Sequence, residues 1–134
     1  MPVRILIVDD SAVIRHSVCS MLQGSADFSV VGEAGDGFQA INQSKSLQPD
    51  VVLLDVSMPN LNGLEATPLI HQVSPESRIL MFSYDDSSNV AAAAVIAGAL
   101  GYVVKSDAGR DLLAGLRATS QGKRFFSSGM AAKG

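Results

Sequence analysis

The sequence predicts an open, doubly wound α/β fold built on a parallel sheet. Three observations carry the expectation. Val51 to Leu54 and Val3 to Val8 are nearly unbroken apolar runs, the pattern of strands covered on both faces rather than on one. Both runs end in carboxylates, Asp55 in the first and Asp9-Asp10 in the second. Between these and three further strand-like segments lie stretches whose apolar residues recur at helical spacing.

In chain order, Val3 to Val8 is the first strand and finishes at Asp9-Asp10. From Ser11 onward, Ile14, Val18, Met21 and Leu22 follow the spacing of an amphipathic helix, which Gly24 closes. Phe28 to Gly32 is a shorter, less apolar strand suited to a sheet edge. Phe38, Ile41, Ser44 and Leu47 mark a second helix, stopped before Pro49. The third strand delivers Asp55 to a loop, after which Asn62 and Glu65 have the spacing of a capping box for a third helix. Pro68 within that helix lacks an N–H for the Leu64 carbonyl, so a kink, or a restart with Thr67 as cap, is expected before the end near Ser74-Pro75. Arg78 to Phe82 is the fourth strand and delivers Ser83. An alanine-rich helix from about Ser87 to Ala97 ends at Gly98. Gly101 to Lys105 is the fifth strand, and Asp107 caps a last helix carrying Leu112, Leu113 and Leu116. The segment from Gly122 to Gly134 either frays or packs back through Phe125 and Phe126. No linker divides the chain, so the reading is one domain over 1–122, followed at 123–134 by a tail or the start of a linker.

Composition narrows the function classes. With 134 residues, 47% of them apolar and 17% charged, the chain is long enough to bury a core without disulfides or a structural metal. Ten Lys and Arg against thirteen Asp and Glu leave a net charge of -3, which argues against this chain holding nucleic acid by itself. Lys123-Arg124 is expected to be a solvated helix end. Cys19 is the single cysteine and falls among the apolar positions of the first helix, where it reads as a small buried hydrophobe. No signal-peptide pattern opens the chain, and the run Ala91 to Leu100 is too short to cross a bilayer. A reducing, cytoplasmic setting without membrane contact is expected.

In open α/β sheets with right-handed crossovers, ligands bind beyond the C-terminal strand ends, where strand order reverses. For the flavodoxin-like order 2-1-3-4-5 that place lies between the first and third strands, which supply Asp9, Asp10 and Asp55. Three carboxylates brought together call for a cation, and a hard divalent ion keeping several waters points to Mg²⁺. Ser83 adds a hydroxyl and Lys105 an ammonium. A phosphoryl group on Asp55 would meet all of them.

Asp9-Asp10, Asp55 followed by Met58-Pro59 and Gly63, then Ser83, Tyr102 and Lys105, resemble the signature of response-regulator receiver domains of two-component signalling. The resemblance runs from about Val3 to Gly122. It implies transfer of a phosphoryl group from a phosphohistidine of a sensor kinase, or from a phosphotransfer protein, to Asp55. Mg²⁺ would be held by Asp9, Asp10, Asp55 and the backbone carbonyl of Ser57. Ser83 and Lys105 would contact the phosphoryl group, and Tyr102 would be the aromatic switch that biases a surface of fourth helix, fifth strand and fifth helix. On this footing the chain is a phosphoacceptor rather than an enzyme, apart from slow self-dephosphorylation. Whether activation brings a homodimer stays open. Gly101 to Ser106 and Gly122 to Ser127 are similar to the branch whose receivers precede a LuxR-type helix-turn-helix domain, with transcription as the output. The favoured reading is a receiver cut from a longer regulator, a stand-alone receiver being the other.

Two positions depart from the family pattern. Tyr84 stands where a small residue is usual, so its ring is expected to crowd the phosphoryl pocket. Pro68 is expected to distort the helix beside the phosphorylation loop.

Each residue has a plainer role when taken singly. Asp55 or Asp10 could cap a helix, Lys105 be a solvated strand end, Ser83 cap a turn, and Tyr102 be a half-buried aromatic with its hydroxyl in water. Together these would require five coincidences at strand ends. His16 and His71 lack ligand spacing, and Ser11 has no activating base by motif, so none of the three is read as catalytic. Two other classes compete: a Mg²⁺-dependent phosphohydrolase, for which no cap or extra loop is present, and a phosphorylation-independent pseudo-receiver acting as an interaction module.

Overall fold

The computed structural model describes residues 2–127. Over that span the strands are β1 (Val3–Val8), β2 (Phe28–Ala34), β3 (Val51–Asp55), β4 (Arg78–Ser83), β5 (Gly101–Val104) and β6 (Phe125–Phe126). The helices are α1 (Ala12–Gln23), α2 (Gly37–Leu47), α3 (Gly63–Val73), α4 (Ser88–Ala97) and α5 (Ala108–Ser120). All strands run parallel, in the order β2-β1-β3-β4-β5-β6. The doubly wound α/β fold and the order 2-1-3-4-5 are therefore as expected, with β2 on an edge and one strand more than the sequence announced.

Strand alternation sorts the core into two layers. Ile5, Ile7, Val51 and Leu53 face α1 and α5, meeting Val18, Leu22, Leu112 and Leu116. Leu6, Val8, Val52 and Leu54 face the other helices, meeting Ala40, Ala66, Ile70 and Ala94. No helix among the described residues is long and apolar enough to cross a membrane.

Several local expectations are corrected. α3 runs through Pro68 as one helix, and Thr67 does not cap a restart: its hydroxyl donates to the Gly63 carbonyl at 2.8 Å. Pro68 lies on the solvent side, where the Leu64 carbonyl it leaves unbonded can be hydrated. Phe38 is 54% exposed, whereas Ser44 is buried and Ile41 and Leu47 pack against the core as expected, with Ala40 joining them on that face of α2. Asp107 precedes α5 without a side-chain capping bond and pairs with Arg110 at 3.4 Å. β5 stops at Val104, so Lys105 opens a short 3₁₀ turn, Lys105–Asp107, rather than ending the strand. Cys19 is half-buried, its Sγ 3.8 Å from Glu33 Oε2, and burial together with that carboxylate pushes the thiol pKa up.

The sixth strand lies in the segment expected as tail, which packs back onto the sheet. Phe125 and Phe126 pair with Gly101 and Tyr102, and Ser127 donates its N–H to the Tyr102 carbonyl at 3.0 Å. The Ser127 hydroxyl accepts from the Val104 N–H at 2.8 Å. The remainder of that segment, 128–134, lies outside the described residues.

Register brings the strand ends together. Val8 is level with Leu54, Asp55 with Phe82, and Ser83 with Val104. One step beyond each pairing come Asp9, Ser83 and Lys105, so residues far apart in sequence share one edge with Asp55.

Candidate functional site

The loop after β3 is shaped by its own side chain and by α3. The Ser57 N–H donates to Asp55 Oδ1 at 3.1 Å, turning the chain immediately after the strand. α3 then starts at a complete capping box: Asn62 accepts from the Glu65 N–H at 2.8 Å, and Glu65 accepts from the Asn62 N–H at 3.1 Å. Gly63 donates to the Val56 carbonyl at 2.9 Å, and a Cβ there would run into the backbone carbonyl of Asp55. That close approach needs glycine.

Asp9 is buried and Asp10 exposed, as alternation at a strand end dictates. Asp9 Oδ1 accepts from the Ser11 N–H at 2.9 Å, while Asp9 Oδ2 lies 2.7 Å from Lys105 Nζ. The same ammonium is 3.4 Å from Asp55 Oδ2 and its side chain is 7% exposed. One buried cation thus stands between two buried carboxylates. Burial first, and the Asp9 charge second, push the Asp55 pKa up to about 7 against the opposing pull of Lys105.

Ligand oxygens of Asp9, Asp10 and Asp55 lie within 4.8 Å of one another, which fits a hard divalent cation. The excess of negative charge over Lys105 and the raised Asp55 pKa are what such a cation would relieve. The cleft has a volume of about 320 Å³, and Ser57, Ser83, Tyr84 and Lys105 line it together with the three acids.

Ser83 is buried, and its Oγ accepts from the Asp85 N–H at 3.1 Å. Tyr102 is completely buried rather than half-buried, and its hydroxyl donates to the Asp85 carbonyl at 2.7 Å instead of reaching water. Burial pushes its pKa up to about 12. Both side chains are therefore tied to one residue of the β4–α4 loop. Tyr84 is 67% exposed, with Lys105 Nζ 5.5 Å from the centre of its ring and equally 5.5 Å from that of Phe82.

Asp9, Asp10, Asp55, Ser57, Ser83 and Lys105 line one cleft, where Ser57 donates its N–H to Asp55, and Tyr102 lies behind it, joined through Asp85. Three further residues were missed from sequence. Asp85 carries the backbone contacts of Ser83 and Tyr102, and Phe82 walls in the lysine. Arg15 donates to the Asp9 carbonyl at 2.5 Å while pairing with Glu33 at 3.1 Å. Only the position of Arg15 one turn after Ser11 hinted at it; the other two needed the strand register.

A family model for the response regulator receiver domain matches residues 5–117. The chain belongs to this family. It is 36% identical over 129 residues to the nitrate/nitrite response regulator protein NarL of Escherichia coli K12, covering 96% of this chain and 60% of that protein. It is 43% identical over 111 residues to a protein-glutamate methylesterase/protein-glutamine glutaminase of Methanosarcina acetivorans, covering 81% of this chain and 32% of that protein. The crystal structure of a LuxR-family two-component response regulator from Aurantimonas sp. SI85-9A1 superposes with a TM-score of 0.94 at 33% identity, covering 98% of this chain and 94% of that one. The receiver therefore spans less than two thirds of the length of these curated relatives, and closely similar receivers stand in proteins named for different outputs.

Proposed function

We propose that the receiver takes a phosphoryl group onto Asp55 from a phosphohistidine of a sensor kinase or phosphotransfer protein. The observation that carries the reading is the position of the Asp55 carboxylate, at the floor of an open cleft with Lys105 Nζ 3.4 Å away. In the transfer a P–O bond forms to Asp55 as the P–N bond to the donor imidazole breaks, and the imidazole leaves with its electron pair. Asp55 must be ionised to attack. The Lys105 ammonium favours that form and balances charge on the phosphoryl oxygens, while the Ser83 hydroxyl donates to one of them. Asp9, Asp10, Asp55 and the Ser57 carbonyl would hold Mg²⁺, which supplies charge neutralisation at the same oxygens. Bound there, it would also offset the repulsion between Asp9 and Asp55.

Contacts already described support a switch. We infer that the Ser83 hydroxyl, on turning toward a phosphoryl group, exchanges its contact with the Asp85 N–H, and Asp85 also holds the Tyr102 hydroxyl. Phosphorylation then biases the β4–α4 loop and, with it, the face of α4, β5 and α5. A near-complete switch requires roughly 5.5 kcal/mol of differential stabilisation, so partial activation is expected. The output we infer is transcription, through a part of the regulator beyond this receiver; the NarL likeness supports that choice.

The test is intact-protein mass after incubation with a small acyl-phosphate donor, with and without Mg²⁺. One phosphoryl adduct that requires Mg²⁺ and is lost in Asp55→Asn is expected. No adduct under any condition would overturn the reading in favour of a phosphorylation-independent interaction module.

A further inference from the structure

β5 ends one residue before Lys105, and its last main-chain bond on the side of β6 is made by a side chain. Tyr102 and Val104 turn main-chain groups toward β6, as alternate residues of a parallel strand do. The Ser127 N–H meets the Tyr102 carbonyl at 3.0 Å, which fixes where Ser127 lies. A ladder that continued would offer the Val104 N–H a main-chain carbonyl. Instead this N–H donates at 2.8 Å to the hydroxyl of Ser127, 23 residues further along the chain and completely buried. One serine thus clamps both ends of the segment from Tyr102 to Val104. Its seat is held from both faces of the sheet, since Phe126 packs into the layer that contains Tyr102 and Phe125 into the layer that contains Val103. Gly101 leaves room for this strand: a Cβ there would run into the Phe125 carbonyl.

Resting on the proposal that Asp55 carries the phosphoryl group, we infer that Ser127 is a positioning residue for Lys105, acting through the Val104 peptide. The lysine is held at both ends. Its ammonium lies 2.7 Å from Asp9 and 3.4 Å from Asp55, with 7% of the side chain exposed, and its backbone enters directly from Val104. Without the hydroxyl the buried Val104 N–H loses its acceptor, and it gains another only if the end of β5 moves toward water. Such a movement draws the Lys105 stem away from the two carboxylates. A misplacement of about 1 Å is enough to slow a transfer that depends on positioning. Ser127 touches no reacting atom and lies beyond residues 5–117, the stretch that matches the family model.

The experiment uses the whole chain, with Ser127→Ala and Ser127→Thr beside the wild type, at a temperature below the melting transition of all three. One reading is the rate at which an amine-acetylating reagent modifies Lys105 in the metal-free chain, by peptide mass relative to the exposed Lys45. The other is the rate of phosphoryl uptake from the small acyl-phosphate donor with Mg²⁺, by intact mass. In Ser127→Ala, acetylation of Lys105 is expected to be about three- to tenfold faster and phosphoryl uptake about three- to tenfold slower. Ser127→Thr keeps the hydroxyl and should match the wild type in both. A merely structural loss would lower the melting temperature and leave the acetylation of Lys105, measured below that transition, unchanged. That result, unaltered uptake, or a Ser127→Thr chain that behaves as Ser127→Ala would overturn the inference while leaving Asp55 as the acceptor. Failure of the wild type to take up phosphoryl would overturn the reading of Asp55, and the acetylation rates would still decide whether Ser127 holds Lys105.

Discussion

Neutralising Asp55 should stabilise the metal-free receiver, and the gain should depend on pH. The carboxyl has an ordinary pKa of 3.8 and is pushed up to about 7 in the folded chain, by burial and then by Asp9. Between these values the native state keeps a proton that the unfolded chain has released, so stability falls as pH rises through that window. The contribution is fully present below the unfolded pKa and lost above about pH 7. At about 1.4 kcal/mol per pH unit the ceiling is about 4 kcal/mol. Because Asp9 and Asp55 share Lys105, removing one charge also returns the lysine wholly to Asp9, and a gain of about 1–3 kcal/mol for Asp55→Asn is expected at pH 8. Near pH 4 the gain should shrink toward zero, since Asp55 is then protonated in the native wild type. Urea unfolding followed by far-ultraviolet circular dichroism, with a chelator present, measures both values. A variant no more stable than the wild type at pH 8, or one equally stabilised at both pH values, would refute the electrostatic account. Restoring Mg²⁺ at pH 8 should raise the wild-type midpoint more than that of the variant, through linkage to binding.

Other substitutions probe the supports of the site. Lys105→Met leaves Asp9 and Asp55 buried without their shared ammonium and should cost about 3–5 kcal/mol in chelator, read from the urea midpoint. Gly63→Ala drives a methyl into the Asp55 carbonyl; a loss of about 1–3 kcal/mol, with slower phosphoryl uptake by mass, is expected. Ser127→Ala removes the acceptor of the buried Val104 N–H and should cost about 1–3 kcal/mol, measured by thermal unfolding, although it lies outside the stretch that matches the family model.

Much of the fold could be read from the chain because its signals are local. Short unbroken apolar runs and helical hydrophobicity marked five strands and five helices, and the Asn62–Glu65 spacing located the start of α3. The acids, Ser83 and Lys105 were legible because a strand that ends in a polar residue announces an edge. The sixth strand was not, since two phenylalanines have no periodicity and are a strand only through pairing with Gly101 and Tyr102. On α2 the expected stripe meets the core at Ile41, Ser44 and Leu47 and fails only at Phe38, in the first turn, because spacing shows which residues align but not how far the stripe extends toward the helix end. At Pro68 propensity pointed to a kink or a restart, and no restart occurs: α3 is one helix from Gly63 to Val73 with the proline exposed.

The sequence by itself determined the order of elements and the identity of the acids, hydroxyl and ammonium at or just beyond the strand ends, because apolar patterning and turn chemistry act over a few residues. Only the tertiary structure decided that a single lysine bridges Asp9 and Asp55, that Ser83 and Tyr102 both depend on Asp85, and that Tyr84 stands over the lysine. Those relations rest on the register between strands up to about a hundred residues apart in the chain, and register is fixed by the burial of the whole sheet rather than by any one segment.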